Sequence, residues 1–143
     1  MEVIIREMRI EDAGIVATLS GQFGYPTTEE HIKGHIQLLK KFPDNCGFVA
    51  TYNTEIVGWI HVMLSARIES PPFYEISGFV VDERCRRQGI GKKLVDEVKL
   101  WCVGKDIHKL RVRCNVTRTR AHEFYLSLGF NETKVSKIFD MNL

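Results

Sequence analysis

No stretch of the chain approaches the roughly 18 uncharged apolar residues that a membrane-crossing helix requires, so none is expected. Met1 to Arg6 lack the basic region, apolar run and small-residue cleavage site of a secretory leader, which predicts a cytoplasmic protein. Cysteine is scarce. Cys46, Cys85, Cys102 and Cys114 stand far apart, with no Cys-x-x-Cys pair and no Cys/His spacing of a zinc site. They read as reduced, mostly buried thiols, and no metal is called for. With 44% hydrophobic and 27% charged residues, the composition excludes disorder and leaves room in 143 residues for a single domain, 1–143.

Charge of one sign is missing from part of the chain. Between Arg84 and Arg120 there are twelve Lys and Arg against Asp96, Glu97 and Asp106, a local balance of +9, while the remainder carries −7. This asymmetry suggests an anion held by one segment and a cation received by the other, with solvated helix faces as the plain alternative.

The hydrophobic pattern predicts a strand over Val3 to Arg6 and a helix over Ile10 to Gln22. A second helix, with Thr27 and Glu30 as a capping box, ends before Pro43. Strands follow at Gly47 to Thr51 and Ile56 to Ala66 around a Tyr52-to-Glu55 turn, and a central strand covers Phe73 to Val81. Ile90, Leu94, Val95, Val98 and Trp101 form one helical stripe, followed by a strand at Lys109 to Cys114, a helix at Ala121 to Leu128 and a final strand at Val135 to Met141. The predicted class is α/β (α+β), with a mixed central sheet flanked by helices.

The informative segment joins the strand end Phe79-Val80-Val81 to a basic, glycine-containing loop and a helix start, Arg86-Arg87-Gln88-Gly89-Ile90-Gly91-Lys92. Gly89 and Gly91 let the backbone approach a bulky anion, and the N–H groups of the first helical turn point at it with the helix dipole behind them. A tight turn with solvated cations is the plain alternative. Other phosphate motifs fail: Arg86 and Lys93 occupy positions where a P-loop needs glycine and a hydroxyl, and Leu94 stands where a dinucleotide fingerprint needs glycine.

Arg86-x-x-Gly89-x-Gly91 after an apolar strand resembles the coenzyme A motif of the GNAT (Gcn5-related N-acetyltransferase) superfamily. Ala121-His122-Glu123-Phe124-Tyr125-Leu126-Ser127-Leu128-Gly129-Phe130 is similar to that family's second signature, and the element order matches over roughly residues 3 to 140. The resemblance implies an acetyl-CoA-dependent N-acyltransferase. It implies that the pantetheine arm lies like an added strand against the backbones of Phe79, Val80 and Val81, and that the pyrophosphate sits on the loop from Arg86 to Lys92. Where many members carry an Asn that touches the pantetheine, this chain has Arg118, with Asn115 nearby but out of register.

By the same resemblance Tyr125 is the proton donor to the departing thiolate, as a phenol of pKa about 10 can be. Glu75 is the leading base for the amine; alternation puts it on one side with Ser77 and Phe79, towards the pantetheine. His61 is the alternative base, although a strand His beside Trp59 and Met63 also reads as packing. The acceptor is a small-molecule or peptide amine, for which the −7 balance favours a cation. Gln22 to Thr28 and Arg67 to Phe73 would shape its pocket. Two other classes compete: a non-catalytic acyl-CoA sensor, which would not need Tyr125 or Glu75, and a nucleic-acid binder using Arg111, Arg113, Arg118 and Arg120. The small net charge disfavours the second. A homodimer pairing through the final strand is an expectation by family analogy.

Overall fold

The computed structural model describes residues 2–143. In chain order it contains β1 (Val3–Glu7), α1 (Ala13–Gly21), α2 (Glu29–Leu39), β2 (Asn45–Tyr52), β3 (Glu55–Ser65), β4 (Phe73–Val81), α3 (Ile90–Cys102), β5 (Leu110–Val112) and α4 (Thr119–Ser127). Short 3-10 turns at Ile10–Asp12 and Glu83–Cys85 precede α1 and follow β4. The chain divides into two compact units, one ending at Val112 and one covering Arg113–Leu143.

The first unit is built on a mixed sheet of order β1-β2-β3-β4-β5. The first four strands pair antiparallel and β5 pairs parallel to β4, a connection that needs the crossover helix α3. The β2–β3 hairpin turns on Asn53 and Thr54, both with positive φ (49° and 67°), as a two-residue turn of matching twist requires. One face of the sheet is covered by α3, whose stripe of Ile90, Leu94, Val95 and Val98 is buried. A Cβ at Gly58 would meet Leu94 and Ile90, which fixes this face as that of Gly58, Ile60 and Val62. Tyr74 points the same way, edge-on to Trp101 at 5.0 Å. Elsewhere α1 packs on α2 and on β3 and β4, burying Ala13, Val16, Ala17 and Leu19.

Several expectations are corrected. The cap of α2 is Thr28, which accepts from the His31 amide at 3.2 Å, so Thr27 and Glu30 make no capping box. The thiols are free but half-buried rather than buried. Val135 to Met141 is not a strand: after α4 the described chain is irregular, with Val135, Ile138, Phe139 and Met141 mostly exposed. Alternating apolar residues alone do not make a strand, because the ladder has to come from a neighbouring backbone.

In the second unit α4 closes in a Schellman motif. The Phe130 amide donates to Tyr125 O and the Gly129 amide to Leu126 O, each at 3.1 Å. Gly129 takes φ +97°, a conformation that favours glycine. The Phe130 ring then packs against Tyr125 at 5.7 Å, so the spacing Tyr125-x-x-x-Gly129-Phe130 is the spacing of a helix cap.

Candidate active site

The segment expected to cradle an anion is built as a strand, a tight turn and a helix start in succession. Asp82 ends β4 and is buried; its carboxylate accepts from the Arg84 amide at 3.0 Å and from the Arg84 guanidinium at 2.8 to 3.3 Å. These bonds hold the Asp82 carboxyl below its ordinary range against the opposing effect of burial. Gln22 accepts from the Glu83 amide at 3.2 Å, tying this turn to the segment after α1. Arg87 then adopts φ +66° and Gly89 φ +79°, the latter as the N-cap of α3. Among the described residues, the amides of Gly89, Ile90, Gly91 and Lys92 donate to no acceptor, while the Lys93 amide already bonds to Gly89 O. Four N–H groups therefore open at the positive end of a 13-residue helix.

The cations around this opening are not equivalent. Arg86 lies over the Phe23 ring, 4.7 Å from its centroid. Lys92 is committed to Asp96 at 2.8 Å, an exposed i,i+4 pair. Arg87, Gln88 and Lys93 are exposed. The opening is thus lined by backbone amides, with exposed side-chain charge around it.

On the strand side, β4 and β5 pair only over Tyr74–Leu110, Glu75–Arg111 and Ile76–Val112. Beyond Ile76, β4 runs on to Val81 while this ladder ends. A chain bearing amide groups can add itself along a strand edge. The open amides at the start of α3 suit an anionic group such as a pyrophosphate.

The alternation that grouped Glu75, Ser77 and Phe79 does not hold. His61 pairs with Gly78 and Val62 with Ile76, so Ser77 is an extra residue, a β-bulge. The bulge flips the side-chain phase: Phe79 and Val81, opposite Ile60 and Gly58, turn to the α3 face, while Glu75, opposite Met63, turns to the other. Glu75 therefore shares a face with Trp59, His61, Met63, Phe73, Gly78 and Val80. Trp59 lies directly on Gly78, where a Cβ would come within 2.5 Å of the indole. Its Nε1 is buried with no partner among the described residues, a donor that the sequence pattern did not single out.

Burial lowers the pKa of His61 and so favours its neutral imidazole. Asn45 donates its amide N–H groups to Leu39 O and Phe42 O at 2.9 and 3.0 Å, which leaves its Oδ1 to accept from His61 at 3.2 Å. Nε2 thus carries the proton and only Nδ1 is left as a base. In the second unit, burial, with Cys114 nearby, pushes Tyr125 up to about 12 despite the opposing Arg118 charge. The phenol is fully protonated at neutral pH. Asn115 Oδ1 is occupied by the Thr117 amide and hydroxyl, both at 2.9 Å.

The sequence model of the acetyltransferase (GNAT) family matches residues 14–130. No curated protein matches the sequence. Among solved structures, the aminoglycoside 6'-N-acetyltransferase AAC(6')-Ih from Acinetobacter baumannii is similar with a TM-score of 0.84 at 17% identity, over 99% of both chains. Aminoglycoside N-acetyltransferase AAC(6')-Iy in complex with CoA gives 0.86 at 17%, over 99% of this chain and 96% of that one. Glucosamine-6-phosphate N-acetyltransferase from Arabidopsis thaliana gives 0.80 at 24%, over 98% and 100%. At these identities the likeness is one of fold.

Proposed function

The chain belongs to the acetyltransferase (GNAT) family, and from that premise we propose that residues 1–143 act as one N-acetyltransferase domain that moves the acetyl group of acetyl-CoA directly to a primary amine. The observation that carries this reading is the set of open amides at Gly89, Ile90, Gly91 and Lys92, in the segment that follows β4. Acetyl-CoA supplies an acetyl group activated as a thioester. Everything else is asked of the chain.

Gly89 to Lys92 hold the pyrophosphate through their N–H groups, with Arg86, Arg87 and Gln88 at the rim. The backbones of Phe79, Val80 and Val81 bind the pantetheine amides. Glu75, through a water, takes the proton that an amine of pKa about 10.4 still carries at neutral pH. Tyr125 hydrogen-bonds to the departing sulfur. Its pKa of about 12 lies well above the ordinary thiol value of roughly 8.5, so complete proton loss would be uphill. Donation that stabilises the developing thiolate is the role the phenol suits.

Four free cysteines and the lack, among the described residues, of a helix long and apolar enough to cross a membrane support a cytoplasmic enzyme. The homodimer stays a proposal, with the exposed 135–143 segment as its candidate contact. Light scattering that returns the mass of one chain would remove it.

Titration calorimetry with acetyl-CoA tests the reading, and a thiol-release assay over a panel of amines follows it. Micromolar binding with turnover is expected; absence of binding overturns the assignment. Binding without turnover on any amine would favour the acyl-CoA sensor. Tyr125→Phe is expected to lower kcat by about 100-fold while leaving acetyl-CoA affinity unchanged, and equal kcat in the two proteins would end its role.

A further inference from the structure

Phe73 opens β4 and is 2% exposed, yet its ring is the meeting point of three cations. The Arg111 guanidinium lies 4.2 Å from the ring centroid, that of Arg67 5.3 Å, and the Lys109 ammonium 5.4 Å. Arg67 comes from the β3–β4 connection, and Lys109 and Arg111 from the start of β5. Among the described residues none of the three is ion-paired, whereas Arg6, Lys33, Arg84 and Lys92 each hold a carboxylate. Like charges gathered without a counter-ion repel one another, and a ring face offsets that only in part. Glu75 stands in register with Arg111, and one carboxylate does not neutralise three cations.

The position has a consequence for chemistry. Phe73 and Glu75 lie on the same face two residues apart, roughly 7 Å along the strand. The cluster therefore lies one strand step beyond the proposed base, towards the start of β4. The phosphate cradle lies past the opposite end of β4, more than eight residues away, or upwards of ~26 Å at ~3.3 Å per residue. One ligand phosphate cannot use both.

We propose that Arg67, Lys109 and Arg111 form a second anion site, which receives a phosphate or carboxylate carried by the amine acceptor. The inference rests on the acetyltransfer reading for the word acceptor, but the anion site itself does not. It reverses the cationic acceptor that the −7 balance of the chain outside residues 84–120 favoured, because the local charge at this end of β4 has the opposite sign.

The test uses the full chain with CoA at saturation, so that the cradle is filled, and titrates inorganic phosphate by 1H–15N NMR. Saturable shifts at the amides of Arg67, Phe73 and Lys109 to Val112 are expected at millimolar phosphate, reduced at least tenfold in affinity in Arg67→Gln/Lys109→Gln. Both residues are exposed, so that variant should fold. Arg111→Lys, which keeps the charge, should retain binding. No shift at these amides overturns the site. Activity then identifies the anion: a tenfold or larger kcat/KM advantage of glucosamine 6-phosphate over glucosamine assigns phosphate, and of lysine over lysinamide assigns carboxylate. Equal values within both pairs overturn the acceptor role. Failure of acetyl-CoA to bind would instead remove the acetyltransfer reading and leave the phosphate titration to stand or fall alone.

Discussion

The two ends of β4 both collect positive charge, and they do so by opposite means. At its C-terminal end the charge is contiguous in sequence, and its core is four backbone N–H groups held open by the left-handed turn at Gly89. At its N-terminal end the charge comes from residues 67, 109 and 111, brought together on one phenyl ring by strand pairing. A backbone cradle has a fixed shape and is written locally. A side-chain cluster has no motif, because its members become neighbours only when β5 docks beside β4.

The sharpest way to break the comparison is Gly89→Val. A β-branched residue at φ +79° costs at least ~1–2 kcal/mol locally and rotates the open amides. Acetyl-CoA affinity should fall by about 30-fold or more in calorimetry, with phosphate shifts at the Phe73 end unchanged. Loss at both ends would show that the two sites are not separable.

Gly78→Ala probes the strand between them. The new methyl would stand 2.5 Å from the Trp59 indole, and overpacking of this kind costs about 1–3 kcal/mol. A lower midpoint in urea, with a shifted Trp fluorescence maximum, is the expected result. An unchanged midpoint would mean that Trp59 moves freely, and its orphaned Nε1 would lose interest as a donor near the bulge.

A smaller effect should come from acid. Asp82 and Asp12 both have carboxyls held below their ordinary range. For Asp82 the cause is the Arg84 guanidinium and amide; for Asp12 burial opposes the shift most, but hydrogen bonds from Arg6 and the Arg9 amide prevail. Depressed folded pKa values give stability that is present above the unfolded value of about 4 and lost as pH falls through the folded ones. Thermal midpoints should therefore decline below about pH 4. Asp82→Asn should flatten that decline while leaving the Phe73 end intact, and an unflattened curve would show that Asp82 does not carry it.

Least affected should be Lys92→Gln. Its ammonium already pairs with Asp96 on an exposed helix face, where such pairs contribute only about 0.3–0.5 kcal/mol. Acetyl-CoA affinity should change by no more than about threefold. A tenfold loss would mean that side-chain charge, rather than the amides, dominates the cradle.

Legibility followed the range of the forces involved. The loop from Arg86 to Lys92 and the helix it opens could be read from residue order, because a glycine turn and the first four amides of a helix lie within one turn of each other. The Tyr125-to-Phe130 signature was equally local, and the structure gives it a physical meaning as a Schellman cap. Glu75 was grouped with Ser77 and Phe79, and that grouping fails, because alternation assumes an unbroken pleat and the bulge at Ser77 inserts one residue. The segment 135–141 had the alternating pattern of a strand but is irregular in the described chain. Trp59 Nε1 carried no signal at all, since its isolation depends on what packs around it.

What the sequence determined by itself was the kind of fold, the family, and the glycine turn that opens α3, all of which depend on period, turn chemistry and contiguous motifs. What only the tertiary structure decided was which side of β4 each residue faces and which cations share the Phe73 ring. Those depend on one bulge, which is set by pairing with residues about 15 positions away, and on one parallel pairing between residues 36 positions apart, and neither leaves a local trace.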